Sequence, residues 1–143
     1  MIINQISVFV ENKAGRLSEI TQILADNEVD IRALSIADTT KFGILRLIVN
    51  KPKIAENALK DAGLTVSLTD VIAIGIEDRP GGLAAALKVL TDAGIGVEYM
   101  YAFVGASHKN AYVIFRVEDN DAAIKVLNEA GFELLNANDV YSL

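Results

Sequence analysis

The chain passes from strand-like alternation to helical spacing and back, and does so twice. In "IINQISVFVE" (Ile2–Glu11) the apolar Ile2, Ile6, Val8 and Val10 share one side, with Asn4 as the exception. Gln5, Ser7 and Glu11 lie opposite, which is the pattern of a half-buried strand. Leu17, Ile20, Ile23, Leu24 and Asn27 then recur at the spacing of one helix face. "VDIRALSIAD" (Val29–Asp38) and "FGILRLIVN" (Phe42–Asn50) predict two strands joined by a Thr/Lys/Phe/Gly turn. Pro52 suits a first helical turn, and Ile54, Ala58, Leu59 and Ala62 form a second helical stripe ended by Gly63. "LTVSLTD" (Leu64–Asp70) predicts a fourth strand.

A shift of 66 residues, from Glu11 to Glu77, starts the same order again. It lays Ile6 on Ile72, Gly15 on Gly81, Leu17 on Leu83, Leu24 on Leu90 and Asp26 on Asp92. A shift of 68 lays Gly43–Val49 on Ala111–Val117 and Ala62-Gly63 on Ala130-Gly131. The slip falls in the turn between two strands, where an insertion costs little. The second copy is therefore predicted as Val71–Ile76, Leu83–Ala93, Val97–Gly105, Ala111–Glu118, Ala122–Ala130 and Glu133–Val140. The prediction is an α+β chain of two ferredoxin-like βαββαβ repeats, residues 1–70 and 71–143. No Gly/Ser/Pro-rich linker separates them, so the repeats are expected to pack side by side as one body.

Composition narrows the function. Of 143 residues, 52% are hydrophobic and the mean hydropathy is +0.34, so much apolar surface must be buried within the chain or against a partner. No apolar run reaches the roughly 18 residues of a membrane span, and the N-terminus lacks a basic segment and cleavage site. With no cysteine there are no disulfides or thiolate chemistry, and a cytoplasmic location is expected. A net charge of −6 with scattered Lys and Arg disfavours nucleic acid.

Helices are expected on one face of each sheet, covering Ile72, Ile74, Ile76, Val113, Phe115 and Val117. The opposite face would then carry Val71, Ala73, Gly75, Tyr99, Tyr101, Phe103, Tyr112, Ile114 and Arg116. Its counterpart in the first repeat is Gln5, Ser7, Phe9, Ala33, Ser35, Ala37, Ile44, Arg46 and Ile48. The aromatic set Tyr99, Tyr101, Phe103, Tyr112 and Ile114 is expected to be bare and to serve as a homo-oligomer surface. An RNA-recognition motif also presents aromatics on such a sheet, and "KNAYVIF" (Lys109–Phe115) loosely echoes its signature. The required glycines are missing and the charge is wrong.

The candidate chemistry lies in two matching loops, "ENKAGRL" (Glu11–Leu17) and "EDRPGGL" (Glu77–Leu83). Each puts glycine just before the first helical leucine, with Asn12 or Asp78 three residues earlier. Helix-start amides lack intrahelical partners and carry partial positive charge, so a ligand carboxylate fits there when glycine permits close approach. The plainer alternative is that Asn12 and Asp78 cap the helix while glycine turns the corner.

With its strand, "N/D-x-P/A-G-x-L" loop, amphipathic helix and "V/I-x-I/V" strand opening (Val29-Asp30-Ile31, Ile95-Gly96-Val97), each repeat resembles the ACT domain. The resemblance covers nearly the whole chain twice. It implies a regulatory module for small molecules, chiefly amino acids, held between the loop of one module and the β2 start of its neighbour. The ligand set so implied is Asn12, Ala14, Gly15, Leu17 and Asp30, with Asp78, Gly81, Gly82, Leu83 and Gly96 in the second repeat. Asp78 replaces the family's asparagine, Asp30 and Gly96 stand where another is usual, and Ala14 replaces proline. The aspartates suit a ligand ammonium, or else one site has degenerated.

Nothing assembles an active site. His108 sits in the polar turn "GASHKN", one histidine without cysteine precludes most transition-metal sites, and the glycine loop matches neither a P-loop nor a dinucleotide fingerprint. The expectation is a non-enzymatic sensor without cofactor or metal, acting in trans on a metabolic enzyme or transcription regulator. The alternatives are a ligand-free oligomerisation module, a small enzyme and an RNA-binding protein.

Overall fold

A computed structural model of the chain describes residues 1–104 and 110–142. Its elements are β1 (Ile3–Glu11), α1 (Arg16–Asp26), β2 (Ile31–Asp38), β3 (Phe42–Val49), α2 (Pro52–Asp61), β4 (Thr65–Glu77), α3 (Gly82–Asp92), β5 (Val97–Val104), β6 (Asn110–Val117), α4 (Asn120–Glu129), β7 (Glu133–Leu134) and α5 (Ala137–Tyr141). Two compact units result, Asn4–Thr69 and Asp70–Leu143 with Met1–Ile3.

In the first unit the strand order is β2-β3-β1-β4, β4 contributing its opening residues. Antiparallel register sets Ile6 opposite Leu47 and Val8 opposite Leu45. These four, with Ile20 and Leu24 of α1 and Ala55 and Leu59 of α2, make the core. The second unit repeats the order as β5-β6-β4-β7. Ile72 pairs with Phe115 and Ile74 with Val113, and both pairs pack on Ala86, Leu90, Ala123 and Leu127. Ile72, Ile74, Ile76, Val113, Phe115 and Val117 all lie in that helix-covered core.

Four expectations are corrected. Leu64–Asp70 and Val71–Ile76 are one 13-residue strand rather than two, because no turn residue interrupts the alternation between them. The final strand, expected over Glu133–Val140, pairs only at Glu133 and Leu134. Beyond it Asn136 and Asp139 form a capping box, each side chain accepting the other's backbone N–H (2.9 and 3.0 Å), and the chain turns helical. In α2 the inward stripe is Ala55, Glu56 and Leu59, leaving Ile54 exposed. Glu56 turns in because Lys53 and Lys60 hold its carboxylate at 2.8 and 3.4 Å, which keeps its pKa below the ordinary value, the Lys53 hydrogen bond contributing most.

The fourth correction concerns the supposedly bare aromatic face. Tyr112 and Ile114 are buried, as are Val71, Ala73 and Gly75, while Tyr99, Tyr101 and Phe103 are half-buried. The C-terminal segment accounts for Tyr112. Leu135 donates its N–H to the Ala73 carbonyl (2.9 Å), and Leu135, Asn138 and Ser142 line one recess with Tyr112. On the helix-free side of the first unit, Gln5, Ala33 and Ile48 are buried, whereas Phe9, Phe42 and Ile44 are exposed, the two rings stacked at 5.1 Å.

Helix starts fall into three kinds, of which α2, opening on Lys51 and Pro52 without a side-chain cap, is one. Asp119 accepts the Ala122 N–H at 3.1 Å and caps α4, as Asn136 caps α5. Neither α1 nor α3 has a side-chain cap; each instead begins on a left-handed glycine, Gly15 (φ 88°, ψ −10°) and Gly81 (φ 89°, ψ −9°). Gly82 is constrained differently, since a Cβ there would lie 2.2 Å from the Glu77 carbonyl oxygen. Asp119→Ala is accordingly expected to cost about 1 kcal/mol, and Asn12→Ala and Asp78→Ala close to nothing, in urea unfolding. Gly82→Ala should cost about 2–3 kcal/mol through overlap, above the roughly 1–2 kcal/mol of Gly81→Ala. Equal losses at all three acidic or amide positions would return Asn12 and Asp78 to the role of caps.

Candidate ligand site

The first loop opens where β1 ends. Glu11 pairs with Phe42 and Val10 with Gly43, so β1 stops beside the start of β3. Lys13 donates its N–H to the Glu11 carbonyl (2.8 Å), and Arg16 donates to Lys13 (3.3 Å), which turns the chain into α1 through the left-handed Gly15. After Arg16, Glu19 is the next residue whose amide returns to the loop, reaching the Gly15 carbonyl at 2.9 Å. Among the described residues the amides of Leu17 and Ser18 have no backbone acceptor, as a helix beginning without a cap requires.

Beside this start lies a recess of about 220 Å³ lined by the loop, Leu17, and Ile36, Asp38 and Gly43 of the neighbouring strands. Its charges are of both signs. Lys13 is paired with Glu11 at 2.8 Å and Arg16 with Glu19 at 3.1 Å. The Glu11 carboxyl is held below its ordinary value by the Lys13 hydrogen bond first, with Arg16 adding to it. The Asn12 side chain and the Asp38 carboxylate have no partner among the described residues, and Leu17 is exposed at the rim. A zwitterion finds acceptors at Asp38 and Asn12 and donors at the uncapped helix start, with Leu17 and Ile36 for an apolar side chain.

The second loop has the same backbone but a different neighbourhood. Arg79 donates its N–H to the Glu77 carbonyl (2.9 Å), Gly82 donates to Arg79 (3.0 Å), and Ala85 reaches Gly81 (3.0 Å). Leu83, which the sequence equates with Leu17, packs against the core instead of standing at a rim. Among the described residues, the recess here, about 340 Å³, lies toward Asn110 and the turn Ala130–Glu133. Asp78, Gly81 and Leu83 do not line it. The β5–β6 side of this loop includes residues 105–109, and His108 with them lies outside the described residues.

Asn12 and Leu17 thus line one recess and Gly82 another, with Ala14, Gly15, Asp78, Gly81 and Leu83 adjoining in the loops. Asp30 and Gly96 are at the far ends of their sheets, because β2 runs parallel to β1, and β5 to β4, across an antiparallel middle strand. An eight-residue strand spans about 26 Å, so no single unit brings Asp30 to Asn12. Asp30 instead receives Arg32 on its carboxylate, and its N–H donates to Asn50 Oδ1 at 2.9 Å. Gly96 lines an open acidic hollow with Glu98, Glu118 and Asp119.

Ile36, Asp38 and Gly43 were missed by sequence reasoning, since only strand order brings β2 and β3 to the loop. One signal was present: a glycine inside a strand marks close approach, and at Gly43 a Cβ would stand 3.4 Å from the Ala37 carbonyl oxygen and 3.5 Å from Val10. No group of three or more His, Asp or Glu among the described residues is placed to hold a metal. No helix among them is long and apolar enough to cross a membrane.

Comparison with solved structures places a protein from Bacteroides thetaiotaomicron at 44% identity and a TM-score of 0.94, covering 100% of this chain and 98% of that one. The ligand-free regulatory subunit of aspartate kinase from Thermus thermophilus is similar in fold, with a TM-score of 0.68 at 17% identity over 91% and 94% of the two chains. So is E. coli aspartokinase III in complex with aspartate and ADP, with a TM-score of 0.55 at 19% identity, over 88% of this chain and 31% of that enzyme. Comparison with curated proteins finds no match. The family description of an ACT domain pair matches residues 1–143 throughout, and the chain belongs to that family of regulatory domains.

Proposed function

We propose that the protein is a non-enzymatic sensor of a free amino acid, and that the recess beside α1 is its principal binding site. The observation that carries this reading is the pairing of an uncapped helix start with the unpartnered carboxylate of Asp38 across one small recess. The ligand carboxylate takes the Leu17 and Ser18 amides, with Arg16 and Lys13 nearby, and its ammonium takes Asp38 and Asn12. Leu17 and Ile36 accept an apolar side chain. Gly15 serves by holding the left-handed turn that leaves those amides free.

Occupation stabilises the conformation in which loop, helix start and β2 end are in register, and so biases whichever partner reads that conformation. The partner proposed is an enzyme of amino-acid metabolism or a transcription regulator in trans, and the protein is proposed to work in the cytoplasm as a homo-oligomer. Supporting the regulatory role are the family match and the likeness in fold to a regulatory subunit.

Thermal-shift screening against the proteinogenic amino acids tests the reading. A ligand at a hundred times its dissociation constant adds about 2.7 kcal/mol of stability, a rise of several degrees in melting temperature. Asn12→Ala and Asp38→Asn should weaken its calorimetric affinity about tenfold while leaving the unliganded melting temperature unchanged. No rise with any amino acid, or unchanged affinity in both variants, would overturn it.

A further inference from the structure

The recess beside α1 has a floor without a side chain. Register sets Val10 opposite Gly43 and Gly43 opposite Asp38, so the three form one row across β1, β3 and β2. The row of Val8, Leu45 and Ile36 lies two residues along and on the same face, because side chains alternate along a strand. Val8 and Leu45 belong to the core with Ile20 of α1 and Leu59 of α2, which puts both rows on the helix-covered side. Val10, Ile36, Asp38 and Gly43 therefore face one space, and Leu17 lines it from the first turn of α1.

Gly43 is buried and does not adopt the positive φ of Gly15. A Cβ there would stand 3.4 Å from the Ala37 carbonyl oxygen and 3.5 Å from both Asp38 Cβ and Val10 Cγ2. A methyl thus fits between two walls at van der Waals distance, and the slot over Gly43 is one methyl wide. The second repeat shows the same place filled. Ala111 stands where Gly43 does, in register with Ile76, and both pack in the second core with Leu83. Ala102, in register with Val113, takes the place that Ile36 holds beside Leu45. In the first repeat Leu17 and Ile36 are each 44% exposed, two large apolar side chains at the mouth of an open slot. An apolar group entering it removes surface of both from water.

We propose that Gly43 is the specificity-determining residue of this recess, and that the ligand it selects is an amino acid with a branched aliphatic side chain of leucine size. This rests on the reading of the recess as an amino-acid site. The rows of Ile36 and Gly43 are roughly 7 Å apart along the strands, so a hydrocarbon touching both is longer than the methyl of alanine. A terminal methyl fills the slot over Gly43 against Val10, while the stem covers Leu17 and Ile36. A polar side chain of the same shape is disfavoured, because these walls offer it carbon.

Calorimetric titration with alanine, valine, leucine and asparagine, the last two alike in shape, is the test. The wild type should bind leucine most tightly, with alanine and asparagine about tenfold weaker or more. Gly43→Ala puts a methyl in the slot and should move the optimum to valine, lowering the leucine-to-valine affinity ratio about tenfold. That variant should melt no lower than the wild type, since alanine enters the strand without strain. Ile36→Ala, at an exposed position, should lower the leucine-to-alanine ratio by a similar factor. Equal binding of leucine, asparagine and alanine, or an unchanged leucine-to-valine ratio in Gly43→Ala, would overturn the inference and leave an amino-acid site in place. Binding of no amino acid to the wild type would overturn the site itself, and the role of Gly43 with it.

Discussion

A left-handed glycine at the start of a helix is the constraint on which the rest depends. Gly15 and Gly81 adopt φ and ψ values within one or two degrees of each other, and both helices follow without a side-chain cap. An L-residue with a side chain resists that conformation, and an aspartate or serine at the cap would consume an amide the turn now leaves open. The molecule shows both solutions, for α4 and α5 are capped by Asp119 and Asn136. Both glycine-led starts adjoin recesses.

Duplication copied the backbone and not the surroundings. Leu17 stands exposed where Leu83 is drawn into a core, and the space beside each loop opens toward different strands. The difference follows from small sequence changes. Gly82 lets α3 approach the end of β4 more closely than any side chain would permit, whereas Arg16 holds the equivalent place in α1. Gly75 admits the Glu133 carboxylate, while its counterpart Phe9 fills that side of the sheet with a ring stacked on Phe42.

Much of the fold was legible because each repeat obeys two periods in turn, and the shift from Glu11 to Glu77 exposes the duplication. The helix-covered face was readable for the same reason, as Ile72, Ile74 and Phe115 show. The end of the chain was not. "ELLNANDV" is apolar enough for a strand, but the reciprocal bonds of Asn136 and Asp139 favour a helix, and that helix then takes the side of the sheet on which Tyr112 was expected to be bare. The loops were visible as motifs, whereas Asp38 and Gly43 join them only through strand order. Asp30 and Gly96 share a family pattern with the loops yet lie at the opposite ends of their sheets.

The most direct measurement is a backbone amide NMR titration of the whole chain with the amino acid that most raises its melting temperature. Resonances of Leu17 and Ser18 should move farthest, with Asp38 and Gly43 following and the capped start of α4 unmoved. Perturbations elsewhere that leave Leu17 and Ser18 in place would contradict the account.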